Sequence, residues 1–413
     1  MELNQEQKEA VNSDCPFLFL YAGAGTGKTR TIIEKINLLL EKAVNPAKVL
    51  AITFTVKAAE ELKIRLKNEN VLVYTFHGLC YHELEKLGIK IEIEEPEKLP
   101  FDKLEILKIS NYKNSLKKKR PPIVYYEYQK YLSLNKQIDF DDLLLLFLNK
   151  TRNDQFKNAF DFIFIDEFQD TNNLQYEVLK RLIGQKTKVF AVGDPDQSIY
   201  RFRGASSNII EKYIKDFDAK IYKLSTNYRS SENIIRAANK LISYNLKRVD
   251  KKLIGTNIIN ENPRAYIFKN EEAEAKYIIS LIKKQLRLLI PKKEIAVLYR
   301  NHERALYFKK EFKKTYLAIS NPDNEITITT LHQAKGLEFK IVIILGLEMG
   351  LLPSNQENRI QELEEERRLF FVGMTRAKET LIMTCIKYNH NFVHYKPSKF
   401  IKESGAVIQK NPS

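Results

Sequence analysis

The sequence has no tryptophan, three cysteines and four methionines among its 413 residues. Cys15, Cys80 and Cys385 are far apart in sequence, and no disulfide framework or C-x-x-C metal pair can be read from them. Long apolar runs are also missing. The stretch Leu143–Leu148 is far shorter than the ~20 residues a membrane-spanning helix needs. The first ten residues are polar and acidic, so no secretory signal is expected. Hydrophobic residues make up 44% and charged residues 29%, which excludes a largely disordered chain. Sixty-eight Lys and Arg against 52 Asp and Glu give a net charge of +16. That excess leans toward nucleic acid, although a lysine-rich solvated surface gives the same sum. The expectation is a soluble, basic, cytoplasmic protein of two or three domains with no membrane partner.

Short apolar runs alternate with helical patterns. The first set is Phe17–Tyr21, Val49–Thr53, Val71–Thr75, Phe162–Ile165, Lys188–Val192 and Ile221–Leu224. The second is Ala265–Phe268, Glu294–Tyr299, Ile326–Thr329, Lys340–Leu345 and Thr380–Thr384. Strands separated by helices, such as Lys28–Leu40 and Val56–Leu66, predict βαβ units and parallel sheets. The fold class is therefore α/β, with two parallel-sheet domains and a boundary near Ser225. Residues 81–136 break the alternation and predict a small helical insertion in the first domain. It carries the basic run Lys117–Arg120, ordinarily a solvated surface and here also a candidate phosphate contact.

Residues Ala22, Gly23, Ala24, Gly25, Thr26, Gly27, Lys28 and Thr29 follow a strand and precede a helix. That context identifies a phosphate-binding loop: glycines turn backbone N–H groups toward phosphate oxygens, and the helix N-terminus adds a positive dipole end. Lys28 would reach the outer phosphates and Thr29 would ligate Mg²⁺. The strict pattern has Gly at the first position, where this chain has Ala22. The spacing is GxGxG, which disfavours a dinucleotide fold. Asp166-Glu167 ends an apolar strand, placing Asp166 to hold the metal and Glu167 to orient and deprotonate an attacking water. Two acids after a strand also occur as a plain acidic turn; the loop is what gives them this role.

These motifs belong to an ordered series. It opens with Leu3–Gln7, the phosphate loop, Thr53–Ala59, Thr75–Gly78 and Asp139–Leu143. It continues with Asp166–Thr171, Val192–Ala205, Asn227–Ser230, Thr330–Phe339 and Glu366–Ala377. The whole resembles superfamily 1A DNA helicases of the UvrD/Rep/PcrA type. The resemblance implies two RecA-like P-loop motor domains that use ATP and Mg²⁺ and act on single-stranded DNA and single-strand/duplex junctions. It implies an ATP-dependent helicase of 3′-to-5′ polarity. By the same resemblance Gln7 reads adenine, Tyr228 stacks on it, Arg30 packs over the nucleotide, and Glu338 contacts the ribose side. Gln197, Arg229 and Arg376 are implied at the γ-phosphate beside Glu167. Phe54, His77, Tyr200, Phe202, Arg203, Arg300, Thr330 and His332 are implied along the DNA track. There, stacking gives a sequence-tolerant grip of ~1–3 kcal/mol per base. Phe202 stands where many family members carry Trp, Val56 where Asn is common, and Gly78 where Ser is common.

The expected organisation is a first motor domain over 1–224, a second over 225–400 and a basic tail over 401–413. Residues 305–325 leave no room for the family's large second accessory domain and are expected to be its vestige. No nuclease domain is expected after the last motif. Two other readings stay open. One is a translocase, or the motor subunit of a nuclease, repair or defence complex, that does not unwind processively alone. The other is a non-motor nucleotide switch, which the full set of hydrolytic residues argues against.

Overall fold

In the computed structural model the chain divides into two compact units, Met1–Ala22 with Gly27–Leu224 and Gly23–Thr26 with Ser225–Ser413. The structure describes residues 2–66, 68–116, 120–151, 155–156, 159–201, 204–205, 208–246, 248–249, 251–256, 258–316, 325–354 and 360–409.

The first unit begins with α1 (Gln5–Asn12), β1 (Phe17–Ala22), α2 (Lys28–Glu41), β2 (Val49–Thr53), α3 (Val56–Leu66), β3 (Leu72–Thr75) and α4 (Phe76–Lys86). It continues with α5 (Lys103–Asn114), α6 (Tyr125–Leu134), α7 (Phe140–Lys150), β4 (Phe162–Ile165), α8 (Asn173–Leu182), β5 (Lys188–Gly193), α9 (Ile209–Phe217) and β6 (Lys220–Leu224). The six strands form one parallel sheet in the order β3-β2-β4-β5-β1-β6. Strands β1, β2 and β5 are buried almost throughout, so they read as unbroken apolar runs instead of alternating ones. Leu18, Leu20, Val49, Ala51, Phe190 and Val192 of these strands pack with Ile32, Ile36, Leu39 and Leu62 into one core.

The predicted insertion is helical and has its own small core of Leu99, Ile109, Tyr125, Tyr128 and Leu132. Lys113 is fully buried there. Its Nζ lies 2.6 Å from Asp139 and 2.7 Å from Asp142 at the start of α7, and Tyr128 Oη donates to Asp139 at 2.8 Å. Two carboxylates satisfy the cation that burial would otherwise penalise, and the Tyr128 hydroxyl satisfies Asp139 in turn. The basic residues Lys117–Lys119 lie outside the described residues.

The second unit runs β7 (Thr226–Asn227), α10 (Glu232–Ile242), β8 (Ile254–Gly255), β9 (Arg264–Phe268), α11 (Glu271–Arg287), β10 (Ile295–Tyr299) and α12 (His302–Tyr316). Next come β11 (Thr327–Thr330), β12 (Phe339–Leu345), α13 (Ile360–Met374), β13 (Ala377–Ile386), α14 (Lys399–Ser404) and β14 (Val407–Gln409). Strands β7 and β8 pair with each other, and the main sheet is parallel in the order β11-β10-β12-β13-β9-β14.

Two expectations need correction here. The proposed basic tail is structured: β14 extends the sheet beside β9, and Phe400 of α14 is fully buried against Phe370. Most of the segment read as a vestigial accessory domain is α12. Its Ala305 and Phe308 belong to the sheet's core, so it is a motor-domain helix. Residues 317–324 lie outside the described residues. Among the described residues no helix is long and apolar enough to cross a membrane.

Candidate functional site

The chemistry of the first unit collects where strands give way to loops at the carboxyl edge of its sheet, the position where open α/β sheets bind ligands. After β1 the chain turns through the glycine loop and enters α2 at Lys28, with Gly27 in the left-handed region at φ 83°. That conformation favours glycine, and a Cβ on Gly27 would also sit 2.7 Å from Gln7 Nε2, so the Gln7 amide would have to shift. Gln7 is buried and also closes the capping box of α1. Its Oε1 accepts from Asn4 N–H at 3.0 Å, and its own N–H donates to Asn4 at 2.8 Å. Arg30 is half-buried on the next turn of α2.

Thr29 Oγ1 donates to Asp166 Oδ2 at 3.1 Å, joining the start of α2 to the end of β4. Lys28 Nζ is 3.5 Å from Glu167 Oε1. Burial and then the neighbouring Glu167 charge push the Asp166 carboxyl up to about 6, with Lys28 pulling the other way. A hard divalent cation would relieve that crowding. Thr29 and Asp166 supply hard oxygens, and their spacing suits adjacent positions around Mg²⁺, whose octahedral edge is about 3 Å. Among the described residues no group of three His, Cys, Asp or Glu side chains converges on a metal position, which leaves substrate phosphates and water to complete such a shell.

Glu167 itself has φ 52°, an uncommon conformation for a non-glycine residue, and opens the 3₁₀ turn Phe168–Asp170. Its Oε2 accepts a hydrogen bond from Gln169 Nε2. Gln197, after β5, donates from Nε2 to Asp194 Oδ2 at 2.6 Å and is buried.

The implied DNA-track residues of this unit occupy the same edge. Phe54 follows β2 and stacks on Tyr200 with ring centroids 5.0 Å apart and planes 20° apart. His77 begins α4 and meets Phe140 edge-on at 5.3 Å. Burial pushes the His77 imidazole down to about 4 against the pull of Asp139, so it is neutral at pH 7 and offers a ring or a hydrogen bond. Phe202 and Arg203 lie outside the described residues.

In the second unit Arg229 Nε donates to Glu338 Oε2 at 2.7 Å. Burial would raise the Glu338 carboxyl, but Arg229 and Lys378 outweigh it and hold it below the usual range. The turn Gly23–Thr26 groups with this unit: Asn227 Nδ2 donates to Ala24 O at 2.6 Å, and Tyr228 N–H donates to Gly25 O at 2.9 Å. Arg376 is almost wholly buried, donating from Nε to Val372 O at 3.0 Å and from Nη1 to Leu337 O at 3.2 Å. Arg300 is paired with Glu366, its Nη2 and Nε lying 2.8 and 3.1 Å from Oε1. Thr330 Oγ1 donates to Gln333 Oε1 at 3.2 Å, and His332 is half-buried in the following turn.

The UvrD/REP helicase N-terminal domain matches residues 3–119 and 94–218, and the UvrD-like helicase C-terminal domain matches 222–321 and 316–388. The chain belongs to the UvrD/REP helicase family. Its superfamily 1A membership carries the RecA-like P-loop fold seen in both units and the class of ATP-dependent DNA helicase. It is 32% identical to a "Probable DNA helicase" of Mycoplasma pneumoniae, over 97% of this chain and 86% of that protein. It is 34% identical to the "ATP-dependent DNA helicase PcrA" of Staphylococcus epidermidis and of Staphylococcus aureus, over 76% of this chain. The chain spans about half the length of those PcrA proteins, 50% in each.

Within this helicase two residues near the hydrolytic group escaped the reading of single positions. Gln169 and Asp194 lie inside motifs of the ordered series with no role implied for them, although Gln169 is 2% exposed and Asp194 fully buried beside Glu167 and Gln197. A polar residue two positions beyond the strand-end acid pair, and an acid directly after β5, were the available signals.

Proposed function

We propose that the protein hydrolyses ATP to move 3′-to-5′ along single-stranded DNA and to open duplex at a single-strand junction. The observation that carries this is the convergence of Lys28, Thr29, Asp166 and Glu167 at one sheet edge that also presents the Phe54–Tyr200 stack. Lys28 holds the outer phosphates. Thr29 and Asp166 would hold Mg²⁺, which would supply charge neutralisation to the phosphates. Glu167 orients a water and takes its proton as the oxygen attacks the γ-phosphorus and the bond to the ADP oxygen breaks. Gln197 contacts the γ-phosphate, and Arg229 and Arg376 add positive charge from the second unit, as the family resemblance implies. Arg376 must exchange its carbonyl partners, and Arg229 must loosen from Glu338, to do so. The Phe54–Tyr200 pair offers a face to a base without reading sequence.

The test is strand displacement on matched duplexes with a 3′ or a 5′ single-stranded tail, with ATP and Mg²⁺, beside Lys28→Ala. Displacement from the 3′-tailed duplex alone, lost in the variant, is the expected result. Displacement from the 5′-tailed duplex overturns the polarity. ATPase stimulated by single strands without displacement from either supports the second reading, a translocase that works with a nuclease or repair partner.

A further inference from the structure

We propose that Gln169 is a positioning residue that locks the water-activating Glu167 to the loop carrying Gln197, so that both act as one unit. This rests on the roles given above to Glu167 and Gln197. The side-chain amide of Gln169 has a donor end and an acceptor end, and each meets a partner that fixes which is which. Nε2 donates to Glu167 Oε2, and a carboxylate can only accept. Oε1 accepts from the backbone N–H of Asp194 at 2.8 Å, which can only donate. Asp194 Oδ2 in turn accepts from Gln197 Nε2 at 2.6 Å, and its Oδ1 accepts from Asp196 N–H at 2.9 Å. The hydroxyl of Ser198 reaches back to the Gln169 carbonyl at 3.4 Å, a second tie between the same two loops.

The bridge depends on close approach. A Cβ on Gly193 would lie 2.8 Å from Gln169 Oε1 and 3.3 Å from its backbone nitrogen. Gly193 has no positive φ, so its missing side chain serves proximity and not backbone freedom. Gln169, Asp194 and Gln197 are all buried, where a hydrogen bond holds orientation better than in water and a lost partner costs more.

The functional consequence follows from the connectivity. With Oε2 held by Gln169, Glu167 keeps Oε1 toward Lys28. A swing of Gln197 toward a phosphate pulls on Asp194 and, through its N–H, on Gln169 and Glu167. Gln169 thus tells the proton acceptor whether the phosphate contact has moved.

The experiment is steady-state ATPase of the full chain with Mg²⁺ and an oligothymidylate strand. The variants are Gln169→Leu, Gln169→Glu, Gln197→Leu, the Gln169→Leu/Gln197→Leu pair and Glu167→Gln. Leu keeps the volume and removes both hydrogen bonds; Glu keeps the acceptor and replaces the donor. Both Gln169 variants are expected to lose about 100-fold in kcat, the scale of a misplaced catalytic group, with KM for ATP nearly unchanged. The double variant should be no slower than the slower single one. Unchanged kcat in Gln169→Leu, kcat and KM changing together, or additive losses in the double variant overturn the proposal. If Gln169→Leu does not fold, the kcat of Gln169→Glu decides alone by the same criterion. Full turnover in Glu167→Gln instead overturns the underlying site reading, and so separates the two failures.

Discussion

Asp141 is a residue whose environment works against its charge. Burial and then Asp139 push its carboxyl up to about 6, while Ser110, Lys113 and Asn114 pull it down. Ser110 Oγ donates to it at 2.6 Å and Asn114 Nδ2 at 3.0 Å. A folded-state pKa above the ordinary carboxylate value means the folded chain binds this proton more tightly than the unfolded chain. The group therefore opposes folding at neutral pH, and that opposition fades as pH falls through about 6 toward 4. Asp141→Asn should raise thermal stability at pH 7.5, by at most on the order of 3 kcal/mol from a shift of about two units. Its advantage should vanish near pH 4. A difference between variant and parent that stays constant over this range would show that Asp141 is not the titrating group. Buried Lys113 belongs to the same cluster, and nothing local in the sequence marked it. A lysine on a helix reads as solvated until tertiary structure brings Asp139 and Asp142 to it.

At the scale of elements, legibility followed burial and locality. Strands β2 and β4 carry the ends expected for them, because a strand buried on both faces is an apolar run with sharp limits. The phosphate loop and the Asp166-Glu167 pair were legible because each is a contiguous stretch at a strand end. The Gln169–Asp194 bridge joins residues 25 apart, a pairing that only the β4–β5 neighbourhood creates. Strand β14 escaped because it is a short edge strand whose Val407 and Ile408 are about half exposed, in a lysine-rich stretch. Helix α14 escaped with it, yet it is firmly docked. Arg367 of α13 grips Glu403 at 2.8 and 3.2 Å, and Phe400 stacks on Phe370 with centroids 5.9 Å apart. Phe400→Ala should therefore cost about 3–5 kcal/mol, the range for emptying a buried aromatic site. Val407→Thr on the exposed edge should stay within about 0.5 kcal/mol. Thermal unfolding of both variants checks this, and a Phe400→Ala protein as stable as its parent would show that α14 does not hold the segment in place.

Across the whole molecule the charge and the chemistry separate. The net +16 is spread over 68 basic residues, whereas the nucleotide loop contributes a single lysine whose ammonium already faces Glu167 at 3.5 Å. Single-strand affinity should fall steeply with salt, because each phosphate contact adds about 0.7 to the slope of log K against log salt. If Lys28 serves the nucleotide and not the strand, as proposed, Lys28→Ala should abolish ATP turnover yet leave that slope and the affinity at a fixed salt concentration nearly unchanged. Fluorescence anisotropy of a labelled oligothymidylate, titrated at several salt concentrations without nucleotide, measures both quantities. A slope shallower by about 0.7 in the variant would mean that Lys28 touches a DNA phosphate, which would move the loop from the hydrolytic site to the track. An unchanged slope with turnover lost would assign the loop to ATP and leave the strand to the Phe54–Tyr200 edge and the distributed positive surface.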